Sequence, residues 1–476
     1  MSPAAVVAAT NAQLLVEGSR AIAGDAVIDS RRVESGSAFV AFVGEKVDGN
    51  AYLDAAIDAG AALLVASAQV GEKTLAHAAE AGATVVRAAD DDCEAFLLAL
   101  AGAWRAAHPE WLVVGVTGSV GKTTTKDMLR AGFGAVAPTH ATPANLNNLI
   151  GLPLTILSAP EGTQVMVCEL GMNHFHEIER LAAAARPCLA VVTNVGTSHV
   201  GLLGSREGIA RAKAEIVGGM APHGDIPATL ALTSANDFTS FIAEKFARPA
   251  GVDVLLAGSL ATDDVQARDL ALSADGTPVF EARCADGWSR RVHLNVPGKK
   301  AVDDFLLALA CLWKAGADRD LACEAIESMK MTGMRLEVST SAGGVRVIDD
   351  SYNAAPNSIA AALDVLCQME CSGRRVAVLG EVGELGAEER RLHGYIGAYA
   401  AAKPLDMLVF IGGELAGEMA EAARTMGFSE DAIQLFATVE DASRVIAPIL
   451  EAGDTVLVKA SRSAGLDRFA KEVLAK

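Results

Sequence analysis

The chain has 476 residues, 51% of them hydrophobic, enough for several buried cores and, at roughly 150 residues per domain, for about three domains. A formal charge of −19 argues against nucleic acid and anionic membrane surfaces as partners, while a few local Lys and Arg can still hold an anionic small substrate. The eight cysteines show no C-x-x-C or zinc spacing, the N-terminus has no basic n-region, and no apolar run approaches a membrane span; a cytoplasmic, monomeric protein with reduced thiols is expected.

Three regions separate by pattern. In the first, strands at 38–43 and 62–66 alternate with Ala-rich helical stretches such as 50–59, which gives a small α/β domain ending before about Pro109. The second opens on W-L-V-V-G-V-T-G, a β-branched strand running into glycines, with a helix following at 122–131. Later strands at 165–169, 189–193 and 252–256, separated mostly by helical stretches, predict a parallel sheet covered on both faces. Within it, 273–296 reads as hairpin strands with turns at Asp275-Gly276 and Asp286-Gly287. The third region starts near Met334, with strands at 345–348, 375–379, 407–411 and 455–458 and helices between them, a Rossmann-like pattern. The expected architecture is α/β in three domains, 1–109, 110–333 and 334–476.

The strongest local signal is T-G-S-V-G-K-T-T-T. Backbone N–H groups of Thr117, Gly118, Ser119, Val120 and Gly121 can converge on a phosphate at a helix N-terminus; Lys122 would reach the β- and γ-phosphates, and Thr123, next to Thr124, would offer a hydroxyl to Mg²⁺. The general G-x-x-x-x-G-K-[ST] spacing would put a glycine at Val116, whereas the glycines stand at Gly115 and Gly118. By itself the loop implies only a bound nucleoside triphosphate.

T-G-x-x-G-K-T is the variant found in Mur ligases and folylpolyglutamate synthases, and the chain resembles the Mur ligase family from about Asp29 to Leu466. D-S-R-R-V-E-S-G-S-A-F-V-A-F-V-G-E-K-V-D-G-N is similar to the family's uridine-nucleotide motif, matched by Ser30, Arg31, Gly44, Asp48 and Gly49, with Asn50 where histidine is common. T-P-A-N-L-N-N-L-I-G resembles T-x-G-N-x-N-N-x-I-G, with Ala144 for glycine; Asn145 and Asn148 match asparagines placed near substrate or nucleotide phosphates. C-E-L-G-M-N-H and T-N-V-G-T-S-H supply Glu169 and His199, which the resemblance puts with Thr123 around two Mg²⁺ ions. Lys213 matches a lysine that some members carbamoylate as a further ion ligand. Arg335 matches an arginine reaching ATP from the third domain, and Asp350 a nucleotide-ribose contact; Asn353 and Ser358 are helix-start or substrate contacts.

D-D-S-Y-N-A-A-P-N-S resembles the branch of the family that joins D-alanyl-D-alanine to UDP-N-acetylmuramoyl-tripeptide using ATP, through an acyl-phosphate. The chain departs from that branch at P-G-K-K-A-V-D-D-F, where Lys300, Ala301 and Asp304 replace a histidine and two asparagines that help hold adenine, and at Glu381, which replaces an aspartate. The departures leave open a Mur-fold amide ligase with a different acid or amine. A non-catalytic nucleotide-binding scaffold and a simple NTPase are the remaining alternatives; a scaffold has no need of Lys122, Thr123, Glu169 and His199.

Overall fold

The structure is a computed structural model that describes residues 1–476. Three sheets of five, nine and six strands follow one another along the chain, each with its own hydrophobic core. In the first, strands Ala26–Val27, Ala38–Val40, Leu63–Ala66 and Thr84–Arg87 are parallel, and Gln13–Val16 adds an antiparallel edge. The expected strand at 38–43 stops at Val40, and the expected helix at 50–59 begins as a 3₁₀ turn, Gly49–Tyr52, before Leu53–Asp58. That turn is started by Asp48, whose carboxylate accepts the Asn50 N–H at 2.9 Å.

The helix Cys93–Ala106 ties the first sheet to the second. Asp92 caps it, accepting from the N–H groups of Glu94 and Ala95 at 3.0 and 2.9 Å. Phe96, Leu97 and Leu100 pack into the first core, while Leu98 and Ala101 pack into the second. A helix apolar on two faces serves two cores at once.

The strand Leu112–Thr117 lies inside the central sheet, buried along its whole length. Its period of two sends Val114 and Val116 into one core and Val113 into the other, which is why it reads as a continuous apolar run. Parallel neighbours Val165–Glu169 and Leu189–Val192 flank it. Val265–Leu272 joins the sheet in parallel, and the expected hairpin strands follow, Pro278–Cys284 and Ser289–His293 extending it antiparallel. The two turns fall where Asp-Gly marked them, with Gly276 and Gly287 at φ of 78° and 92°.

In the third sheet Arg346–Asp349, Thr455–Lys459, Arg375–Gly380, Met407–Ile411 and Ile433–Phe436 run parallel, and Glu337–Thr340 adds an antiparallel edge. This domain packs on the central one. Glu370 N–H donates to Ala274 O at 2.8 Å, and the connecting segment is pinned where Asp127 accepts the backbone N–H and hydroxyl of Thr332 at 2.9 and 2.7 Å. All eight cysteines are free, and no helix is long and apolar enough to cross a membrane.

Candidate active site

The parallel strands of the central sheet end at one edge, where the loops carrying the sequence motifs gather. Gly118 and Gly121 have φ of 150° and 89°, and neither position tolerates a side chain. A Cβ on Gly118 would fall 1.8 Å from Thr193 Oγ1, and one on Gly121 would fall 2.3 Å from Asp304 Oδ1. The loop is held from behind by the neighbouring strand end. Asn194 accepts the Val120 N–H at 3.1 Å and donates to Val120 O at 2.8 Å, Thr193 Oγ1 donates to the same carbonyl at 2.5 Å, and Ser119 Oγ accepts from Gly196 N–H at 2.9 Å. Thr193 and Asn194 were not singled out in the sequence, although the T-N-V-G motif contains both.

Lys122 opens the helix Lys122–Gly134 and donates to Gly118 O at 2.8 Å. Burial holds its ammonium below the ordinary lysine range; Glu169 opposes the shift and Arg335 adds to it. At the next residue, Thr123 Oγ1 donates to Glu169 Oε2 at 3.0 Å, and Asn147 Nδ2 donates to Glu169 Oε1 at 2.8 Å. Glu169, 1% exposed, therefore gathers a hydroxyl and a carboxamide at the sheet edge.

Asn147, rather than Asn148, is the asparagine at the reactive edge. Asn148 turns away, its Oδ1 accepting from the N–H groups of Ile150 and Gly151 at 3.3 and 2.8 Å to start the next helix; Asn145 lines the cleft.

His199 and Lys213 line the same cleft. His199 Nδ1 lies 2.7 Å from Glu384 Oε2 of the third domain, at ion-pair distance but without hydrogen-bond alignment. Lys213 is 2% exposed, and burial together with the charge of Lys122 drives its ammonium well below the ordinary range. Arg335 stacks on Tyr352, its guanidinium carbon 4.4 Å from the ring centroid, and its Nε is buried without a partner. Its neighbours Met334 and Leu336 both adopt left-handed backbone, with φ of 60° and 48°.

Asp350 lines the cleft with both oxygens engaged, Oδ2 at 2.6 Å from Lys459 Nζ and Oδ1 accepting from Leu336 N–H at 3.2 Å. These bonds assign it the placing of the Arg335 segment. Ser358 Oγ accepts the Ala355 N–H at 2.9 Å, and Asn353 Oδ1 accepts from Ala354 N–H at 2.9 Å. Both belong to the start of the helix Pro356–Gln368.

The first domain's motif residues lie outside this cleft, which is lined only by the other two domains and measures about 1060 Å³. Ser30, Arg31, Gly44, Asp48 and Gly49 all lie at least partly exposed in the first domain, and Asp29 holds the Arg31 guanidinium at 2.7 Å. Gly49 is required by packing, since a Cβ there would fall 2.7 Å from Phe42 O.

The residues fit Mg²⁺. Thr123 and Glu169 offer hard oxygen donors 3.0 Å apart, and no group of three His, Cys, Asp or Glu is preassembled. Mg²⁺ characteristically takes few protein ligands and completes its shell with phosphate and water.

Phosphate loop, buried carboxylate and an arginine from a second domain define a nucleotide-dependent ligase of three α/β domains. Family descriptions match along the chain: Mur ligase family, catalytic domain, at residues 26–105; Mur ligase middle domain at 116–312; and Mur ligase, glutamate ligase domain, at 334–462. The UDP-N-acetylmuramoyl-tripeptide–D-alanyl-D-alanine ligase of Bacillus subtilis is 33% identical, covering 94% of this chain and 92% of its own; the Escherichia coli enzyme of the same name is 31% identical, covering 93% and 92%. Among solved structures, MurF from Acinetobacter baumannii superposes with a TM-score of 0.85 at 28% identity, covering 100% of this chain and 99% of its own. MurF from Thermotoga maritima in complex with ADP gives 0.78 at 26%, covering 94% and 96%. The chain belongs to the Mur ligase family.

Asp304 generates a prediction. Burial first, then the Asp303 carboxylate, push its carboxyl well above the ordinary range. The unfolded chain releases this proton at the ordinary carboxylate pKa and the folded chain releases it later. Ionised Asp304 therefore costs stability at neutral and alkaline pH and nothing below the ordinary value. Asp304→Asn should raise Tm at about pH 8 by roughly 2 °C or more, with the gain vanishing toward about pH 4. A pH-independent gap between the two melting curves would refute this.

Proposed function

We infer that the chain is an ATP-dependent amide ligase that joins D-alanyl-D-alanine to UDP-N-acetylmuramoyl-tripeptide in peptidoglycan precursor synthesis. The observation that carries this reading is one cleft in which the phosphate loop, the Thr123–Glu169–Asn147 cluster and Arg335 from the neighbouring domain meet, in a chain matched over nearly its whole length by ligases of that name. We assign 1–109 to the UDP-linked substrate, 110–333 to ATP and 334–476 to closure and the incoming amine. A nucleotide-sugar acid and ATP are cytosolic substrates, so the reaction is assigned to the cytoplasm, with the chain acting as a monomer.

A carboxylate and an ammonium do not condense in neutral water. Transfer of the ATP γ-phosphoryl to a carboxylate oxygen gives an acyl-phosphate and ADP. The deprotonated amine then attacks the acyl carbon, and the tetrahedral intermediate expels phosphate to leave the amide. Lys122 moves from Gly118 O to the transferring phosphoryl, where its charge offsets the charge that develops. The loop N–H groups, fixed by Thr193 and Asn194, orient the phosphates without reorganising. Arg335 supplies a second cation from the closing domain, and closure excludes the water that would hydrolyse the acyl-phosphate. Thr123 and Glu169 would hold one Mg²⁺, and His199 with the carbamate of Lys213 a second; the ions would supply Lewis-acid neutralisation of the phosphate oxygens.

Lys213 suits carbamoylation. Its depressed ammonium makes the free amine available to add to CO₂, releasing one proton, and the resulting anion turns its repulsion by Lys122 into attraction. The substitutions at Lys300 and Asp304 lie at the start of the helix Lys300–Lys314, with Asp304 against Gly121. They bear on the nucleotide and give no reason to change the acid or the amine.

Lys122→Ala should reduce phosphate release with all three substrates by about 10³-fold or more; turnover within tenfold of the parent would discard the assignment. Arg335→Ala should lower kcat while calorimetric ATP binding stays within about threefold; loss of binding instead would overturn its role in closure. Depletion of CO₂ should lower activity reversibly, and ¹³C-bicarbonate should give a carbamate resonance that is lost in Lys213→Ala. Absence of that resonance from the active parent would refute carbamoylation.

A further inference from the structure

Two non-glycine residues with left-handed backbone face each other across the cleft. His199, at φ 63°, precedes the short helix Val200–Leu203 of the central domain; Glu384, at φ 64°, lies in the loop after strand Arg375–Gly380 of the third. Side-chain-bearing residues keep such conformations only where their surroundings hold them. Here the surroundings are specific. Thr197 Oγ1 donates to Asn357 Oδ1 across the same interface at 2.8 Å. Gly201 and Gly386 meet backbone to backbone, so that a Cβ on Gly201 would fall 2.6 Å from Gly386 N.

The Glu384 loop is braced from its own domain. Buried His393 accepts the Val382 N–H on Nε2 at 2.9 Å, which leaves Nδ1 protonated to donate to Glu389 O at 2.7 Å. Ser461 Oγ accepts from Gly383 N–H at 2.9 Å. Glu381, in contrast, faces away from the cleft contact and accepts from Gly413 N–H at 2.8 Å. The bracing leaves Glu384 as the carboxylate presented to His199, with Oε2 2.7 Å from Nδ1.

We propose that Glu384 is a positioning residue which the third domain delivers to His199 on closure, orienting the imidazole with Nδ1–H toward the carboxylate and Nε2 toward the cleft. A histidine that serves an ion with one nitrogen is characteristically held through the other by a carboxylate. Delivery from a separate domain makes that orientation conditional: His199 is set only when the cleft is shut. The consequence for an ion rests on the reading of His199 as a ligand given above, whereas the latch itself rests on the interdomain contacts alone.

The test uses the full chain labelled with ¹⁵N-histidine, with AMP-PNP and Mg²⁺ or Mn²⁺. In the parent, His199 should show the Nδ1–H tautomer and solution scattering should report compaction with nucleotide. Glu384→Ala should remain extended with nucleotide, lose the single-tautomer pattern, and lower kcat about 10–100-fold with the ATP KM changed less than about threefold. Glu384→Gln, whose amide oxygen can accept from Nδ1–H, should recover compaction and most of kcat. Full compaction and an unchanged His199 pattern in Glu384→Ala would overturn the proposal. His199→Ala separates the two ideas through Mn²⁺ affinity with AMP-PNP. Normal affinity there, with Glu384→Ala extended, supports the latch and removes the ion-ligand reading. Weakened affinity there, with Glu384→Ala compact, does the reverse.

Discussion

The structure depends on a phosphate loop that the neighbouring strand end holds in place. Free glycines would leave the loop N–H groups pointing in many directions, and ordering them on binding would consume much of the binding energy. Here Thr193 and Asn194, at the end of the next strand, fasten Val120 by three hydrogen bonds, and Gly118 packs so tightly against Thr193 that no side chain fits. The parallel register sets this up: Thr117 pairs with Val192, so the residues just beyond both strands meet at the sheet edge. The order of the loop is thus a property of the sheet.

Charge is arranged with the same economy. The chain carries −19 overall, yet Lys122, Lys213 and Arg335 share one cleft, and the two lysines are depressed by burial and by neighbouring cations. Such a cluster is poorly stabilised alone and well matched to a triphosphate, whose anionic oxygens relieve the repulsion. Arg335 arrives on a backbone that is left-handed on either side of it and is tied down through Leu336, Asp350 and Lys459. Arg335 is therefore placed by the fold of the third domain rather than by its own flexibility.

Much of this was legible in the sequence, and the reasons differ by feature. Strands buried on both faces, such as Leu112–Thr117, announce themselves as β-branched runs, and Asp-Gly turns fix hairpins locally. The edge strand Glu337–Thr340 was missed because E-V-S-T lacks the apolar run that marks buried strands, and Gln13–Val16 because its apolar run, Leu14 to Val16, is only three residues long. Asn147 and Asn148 are adjacent in a loop with no periodicity to say which faces the sheet; the preference of Asn for starting helices was the available clue that Asn148 was already engaged. Glu384 left no signal near His199, because only the docking of two domains brings them together. The part Asp350 plays in holding the Arg335 segment left no signal, since its partners Lys459 and Leu336 lie on separate segments.

The central claim is that the terminal phosphoryl group passes to an oxygen of the acid before the amine enters. The direct measurement uses UDP-N-acetylmuramoyl-tripeptide with ¹⁸O in the reacting carboxylate, together with ATP, Mg²⁺ and D-alanyl-D-alanine, and follows the released phosphate by mass spectrometry. The account predicts that each phosphate carries one ¹⁸O from the acid, with one new amide formed per ADP. Phosphate free of the label, with amide still produced, would contradict it.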